Sequence, residues 1–262
     1  MDMHPLETRQ RAITLLRDGA TNADVARALK VPVGTIGAWK HKDRATRGEC
    51  PGAHHSTCPR CDGQPMDSAA YAYLLGQYLG DGSISHYSGH RVPTLRITCA
   101  DSWPGVSRET AAVLLRVFPH NQIGRVRKAG CHDLKVVSKH LYCLFPQHGP
   151  GMKHTRKIAL AHWQQEIVDA HPWEFIRGLI HSDGCRITNW TTRVVAGERK
   201  RYEYPRYFFT NKSDCIRELY TDTLDKLGVT WTHCTRHGNP YNISVARKQD
   251  VALLDVHIGP KY

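Results

Sequence analysis

Hydrophobic positions in the first 46 residues recur at helical spacing. In HPLETRQRAITLLRDG, residues 4–19, Ala12, Ile13, Leu15 and Leu16 share a face that ends at Gly19, a natural helix stop. TNADVARALKV opens on a capping residue, Thr21 or Asn22, and aligns Val25, Ala26 and Leu29. After Pro32 a third segment turns Ile36 and Trp39 inward. Residues 47–67 lose this periodicity and are dense in Pro, Gly and Cys, so they form a connector. From there the pattern alternates between period 3.6 and period 2 in one order, helix, two strands, helix, two strands, helix, and the order occurs twice. The first pass gives strands at SISHYS, TLRITC, IGRVRKAG and HDLKVVS around the helix GVSRETAAVLLRVF. The second gives strands at CRITNWTTRVV, RYEYPRYFFTN, WTHCTRHG and YNISVARK around SDCIRELYTDTLDKLG. The expected architecture is α+β, a pseudo-twofold αββαββα duplication with halves at 68–170 and 171–262, behind a three-helix domain at 1–46.

The three short helices, with a tight turn before the last, resemble a helix-turn-helix of the resolvase and transposase kind. That resemblance would direct Thr35, Lys40 and Lys42 towards DNA, with Arg44 beyond them. A helical packing module without a DNA role is the plainer alternative.

Each half opens on the same small motif. YAYLLGQYLGDGSIS covers residues 71–85 and EFIRGLIHSDGCRIT covers residues 174–188, each with a Gly followed five residues later by Asp-Gly. Small residues at Gly76 and Gly80, and at Gly178 and Ser182, allow two helices to approach closely. Asp81 and Asp183 would then stand at adjacent helix ends, and two carboxylates held together favour a divalent cation between them. An ordinary helix ending in a turn explains one such motif; two at matching places in a duplicated chain are harder to explain that way.

These segments resemble the LAGLIDADG homing endonucleases, and the run from Gly151 into the second motif is similar to intein-associated members. Arg156-Lys157-Ile158-Ala159 lacks the proline that those members carry after the isoleucine. The resemblance implies a site-specific double-strand endonuclease that uses Mg²⁺ at Asp81 and Asp183, each aspartate helping to cut one strand. It also implies a basic residue near each scissile phosphate. The matching positions are Arg156 and Lys157, with Lys153 close by, and Lys261 is the nearest counterpart in the second half.

Charge agrees with a polyanionic partner. The 262 residues carry a formal +12, with five basic residues against one acid in 122–140 and seven against two in 186–212. Both stretches read as strands, and a two-stranded ribbon fits the major groove. Candidate contacts are Arg96, Thr98, Arg125, Arg127, Lys135, Arg186, Thr188, Asn189, Thr192, Arg193, Arg206, Arg236, Asn242 and Arg247. Each taken singly reads more readily as a phosphate contact or a solvated side chain than as a base reader.

Nine cysteines, scattered except near 50–61, argue against a disulfide framework and for a reducing compartment. In CPGAHHSTCPRC, Cys50, His54 or His55, Cys58 and Cys61 have the spacing of a structural Zn²⁺ site; the other six cysteines lack ligand spacing. No apolar run approaches the roughly 20 residues of a membrane span, and Asp2, Glu7, Arg9 and Arg11 leave no room for a signal peptide. The sequence therefore predicts a cytoplasmic, nucleoid-associated monomer that binds double-stranded DNA and no membrane. Its Met1 start without splice-junction residues suggests a freestanding enzyme. Two alternatives share the scaffold: a transcriptional regulator that binds DNA without cutting it, and an RNA-splicing maturase.

Overall fold

The computed structural model describes residues 4–47, 58–85, 92–236 and 238–262. The chain divides into two compact units, Met1–Thr57 and Cys58–Tyr262. The first holds α1 (Leu6–Arg17), α2 (Asn22–Leu29) and α3 (Val33–Thr46). The Thr21 hydroxyl accepts from Asp24 N–H to start α2, and Lys30 ends it in the left-handed conformation. Ala12, Leu16, Val25, Val31, Ile36 and Trp39 form this unit's own core. On α3, Thr35 and Lys40 are half-buried and Lys42 is exposed.

The second unit begins with a single turn, α4 (Pro59–Asp62), and then α5 (Ser68–Leu79), capped by the Asp67 carboxylate on Ala70 N–H at 2.9 Å. The strands β1 (Gly82–Ser85), β2 (Thr94–Ala100), β3 (Gly124–Lys128) and β4 (Cys131–Val137) surround α6 (Pro104–Val117) in the chain. Short α7 (Leu141–Leu144), α8 (His162–Ala170) and α9 (Pro172–Asp183) lead into the second half. There β5 (Gly184–Val195), β6 (Glu198–Thr210), α10 (Asp214–Lys226), β7 (Thr232–Arg236), β8 (Asn239–Val245) and α11 (Lys248–His257) repeat the order. Both sheets are antiparallel and share one topology, β1-β2-β4-β3 and β5-β6-β8-β7. The duplication read from periodicity is present, and both sheets have the strands expected of them.

The core explains which sheet face is which. Leu95, Ile97, Leu134 and Val136 of the first sheet, and Tyr207, Phe209, Ile243 and Val245 of the second, are buried with α5 and α9 in one apolar cluster. Because side chains alternate along a strand, every second residue faces away from that cluster. Helix α5 is buried from Ala70 to Leu79 without a polar stripe, as a helix enclosed on all sides must be. Among the described residues, no helix is long and apolar enough to cross a membrane.

Candidate active site and nucleic-acid face

The site is built where α5 and α9 touch. A Cβ placed on Gly76 would lie 2.5 Å from the Phe175 carbonyl oxygen, and one on Gly178 would lie 2.2 Å from the Tyr73 carbonyl oxygen. Only hydrogen fits at either position, so the two backbones meet directly. One turn further along, a Cβ on Gly80 would stand 3.1 Å from Asp183 Cγ. The last residues of the two helices are therefore neighbours, and Asp81 and Asp183 leave them side by side. Gly82 and Gly184 then begin β1 and β5.

Each helix end is met by a lysine. Lys153 Nζ donates to the carbonyls of Tyr78, Leu79 and Gly80 at 2.5, 3.0 and 2.6 Å, satisfying the acceptors that α5 leaves unpaired. Lys261 Nζ donates to Ser182 O at 2.7 Å in the corresponding place on α9. Lys261 is held there because Gly105 N and Val106 N, at the start of α6, donate to Tyr262 O at 2.7 and 3.1 Å. The two remaining basic positions from the sequence do not converge on the helix ends in the same way. Arg156 donates to the Gln147 carbonyl, and Lys157 is exposed.

The charges at this point are strained. Burial, and then the neighbouring Asp183 charge, push Asp81 up to about 6. Its side chain stays open to solvent, which tempers the shift. Burial also raises Asp183, but Asn211 Nδ2 donates to its Oδ2 at 2.6 Å and favours its ionised form. Asn211 is oriented for this because its Oδ1 accepts Ser213 N–H at 2.8 Å. Asp81 has no comparable side-chain donor among the described residues, so it bears more of the repulsion. Burial lowers Lys153 to about 8, opposed by the two aspartates, and lowers Lys261 in the same direction. An open cleft of about 400 Å³ exposes Asp183, Asn211, Lys153, His154, Lys212 and Gly80. Asn211 and Lys212 were not legible as site residues; the only trace is their place between a strand and the Ser213 helix cap.

Two neighbouring carboxylates, both raised by burial and one of them lining the cleft, are a hard-oxygen donor set short of positive charge. That chemistry fits Mg²⁺ or a similar divalent cation.

Similar solved structures share this fold. I-DmoI in complex with DNA and Mn aligns over 74% of this chain and 98% of its own, at 19% identity and a TM-score of 0.50. A study of mesophilic variants of the homing endonuclease I-DmoI gives 73% and 96%, at 20% identity and 0.50. The chain has the LAGLIDADG fold. No family model matches the chain, and no curated protein matches it. The N-terminal LAGLIDADG domain of WhiA aligns over 74% of the chain at 10% identity and a TM-score of 0.45.

Strand register sorts the expected nucleic-acid contacts of this chain. In the first sheet Arg96 pairs with Lys135 and Thr98 with Asp133, on the face away from the apolar cluster. Arg125 and Arg127 pair with Leu134 and His132 and so share the opposite face, where they line a cleft with Ser107 and Arg108. In the second sheet Asn189, Arg193, Arg206 and Asn242 take the outward face, and Arg206 lies over the rings of Tyr204 and Phe208. Thr188 and Thr192 take the other face. Arg247 caps α11 and donates to Thr230 Oγ1 at 3.1 Å; of Arg236 only the backbone is described.

Arg186 differs most from its expected role. It is on the helix-facing side, where Nε and Nη2 grip Asp255 of α11 at 2.6 and 2.8 Å, and Tyr207 Oη adds a third bond at 2.6 Å. Period two alone could not say which face of β5 was inward, because the strand runs on past the core as an exposed hairpin. Asp255→Asn should cost about 1–2 kcal/mol in urea denaturation at neutral pH. Arg186 holds the Asp255 carboxyl below its usual range, so this contribution is complete above about pH 4 and fades as pH falls through the folded value. Arg186→Ala should likewise lower stability and spare DNA affinity, whereas Arg206→Ala should weaken DNA binding. The reverse pattern would invert these two assignments.

Cys50, His54 and His55 lie outside the described residues. Cys58 and Cys61 do come together, but with His140 and Cys143. Cys143, which lacks ligand spacing by sequence, therefore has ligand company in space.

Proposed function

We propose that the chain is a divalent-metal-dependent, site-specific DNA endonuclease that cuts both strands, acting as a single chain with Asp81 and Asp183 holding the metal. The observation that carries this reading is the meeting of the two aspartates at paired helix ends, each beside a lysine. The DNA-bound I-DmoI structure supports DNA as the partner. Bound there, a divalent cation would supply charge neutralisation on the phosphate, an activated water and help for the leaving oxygen.

The chain's own groups divide the remaining work. Asn211 keeps Asp183 ionised and fixes its direction. Lys153 spends three N–H groups on the α5 carbonyls, so it acts on the phosphate through its charge. Lys261 donates to one carbonyl and, among the described residues, to nothing else, so it has donors left for a phosphate oxygen. The outward strand faces, with Arg96, Lys135, Arg193 and Arg206, would run along the duplex. The three-helix unit would add a second DNA contact through Thr35, Lys40 and Lys42.

Purified protein with Mg²⁺ or Mn²⁺ should linearise a plasmid that carries the gene's own flanking genomic DNA. Binding without cutting under every divalent metal would favour a regulator. Lys261→Met should lower the cleavage rate about 10²-fold at little cost in stability. Lys153→Met should lower both rate and melting temperature, because it also leaves three helix-end carbonyls unpaired. Equal stability losses in the two variants, with unchanged cleavage, would reduce both lysines to helix caps.

A further inference from the structure

We propose that Cys58, Cys61, His140 and Cys143 form a structural zinc site that clamps the start of the second unit onto the loop leading to Lys153. The inference does not depend on DNA cleavage.

The four residues come from two short helical turns far apart in sequence. Cys58 stands at the N-cap of α4 with Cys61 inside it, and His140 stands at the N-cap of α7 with Cys143 inside it, so each turn carries two ligands three residues apart. Their ligand atoms all lie within 4.8 Å of one another. Cys61 Sγ is 3.4 Å from His140 Nδ1 and 3.3 Å from Cys143 Sγ, and Cys143 Sγ is 3.8 Å from His140 Nδ1. A tetrahedral Zn²⁺ with bonds of about 2.3 Å to sulfur and about 2.0 Å to nitrogen requires neighbours about 3.5–3.8 Å apart. Three thiols and an imidazole are also a donor set that favours zinc over magnesium.

Burial alone gives α4 little reason to stay in place. Cys58 before it is buried, but none of Pro59–Asp62 is, and the segment from Arg60 to Pro65 is exposed. A metal would supply that missing free energy. The loop it anchors continues from α7 to His148, whose Nδ1 is 3.1 Å from Tyr78 Oη, and then to Lys153 at the end of α5. Zinc at this point would stiffen the arm that carries Lys153 into the site.

The full chain, expressed without added chelator, should contain one zinc per molecule by elemental analysis. Exchange for Co²⁺ should give tetrahedral visible bands and a near-ultraviolet charge-transfer band of the intensity of three thiolates. Cys143→Ser and His140→Ala should release zinc to a chelating dye at least tenfold more readily than the wild type, while Cys50→Ser and His54→Ala retain it. If Cys143→Ser fails to fold, the wild-type cobalt spectrum decides, and an octahedral or thiolate-poor spectrum rejects the site. A metal-free wild type, a chain two mass units lighter through a disulfide, or zinc lost from Cys50→Ser and kept by Cys143→Ser would each overturn the proposal.

Discussion

Replacing either Asp81 or Asp183 with asparagine should reduce double-strand cleavage by about 10³-fold or more while DNA affinity is kept or rises. Asparagine keeps the shape and removes the charge, so the pair can no longer hold a divalent cation against a phosphate, a contribution of several kcal/mol. Binding should not suffer because a carboxylate repels the DNA backbone. The folded state should not suffer either: Asp81 is raised by burial and by Asp183, so neutralising it relieves repulsion and should leave melting temperature equal or higher. Cleavage of a linearisable plasmid, fluorescence anisotropy on the same DNA and a thermal melt separate the three effects. Variants that both cut at the wild-type rate would remove Asp81 and Asp183 from the chemistry.

Gly178→Ala should be the most damaging single methyl group in the second unit. Its Cβ would sit 2.2 Å from the Tyr73 carbonyl oxygen, 3.0 Å from Tyr73 C and 3.1 Å from Gln77 N. All three are backbone atoms of α5, so no side-chain rotation relieves the overlap and the helices must separate. Overpacking of this kind costs about 3 kcal/mol. Separation would also spread Asp81 from Asp183, so cleavage should fall even at temperatures where the variant remains folded. Gly197→Ala makes a useful contrast: it meets nothing within 4 Å, although its φ of +81° still strains an alanine. Its cost should stay near 1 kcal/mol, with cleavage kept. Equal melting temperatures for Gly178→Ala and the wild type would mean that α5 and α9 do not pack backbone to backbone.

Much of the site's chemistry was written locally. The Gly-then-Asp-Gly motif is short, repeats at a spacing of 102 residues, and gives both the helix that needs a close partner and the acid at its foot. Lys261 was legible only as a counterpart by position; what brings it to Ser182 is the grip of the α6 N-terminus on Tyr262, a contact between the two halves. Asn211 was missed because an asparagine after a strand reads as a turn residue, which it also is. Arg156 and Lys157 were named through likeness to a linear motif, yet Lys153, three residues earlier, is the one whose ammonium reaches the helix end.

The sequence by itself determined the element order, the duplication, the two aspartates and the small residues that permit their approach, since periodicity and close packing are encoded in neighbouring residues. It could not determine which basic residues face outward. In β3 the exposed Val126 sits between Arg125 and Arg127, and in β5 Arg186 and Arg193 fall on opposite sides of the pleat, so these arginines were named as nucleic-acid contacts although only strand pairing decides their faces. Nor could it join Cys58 and Cys61 to His140 and Cys143, because ligand spacing is visible within a turn and invisible across a sequence separation of 79 residues. Partners brought together by folding leave no local pattern, and the tertiary structure alone supplied them.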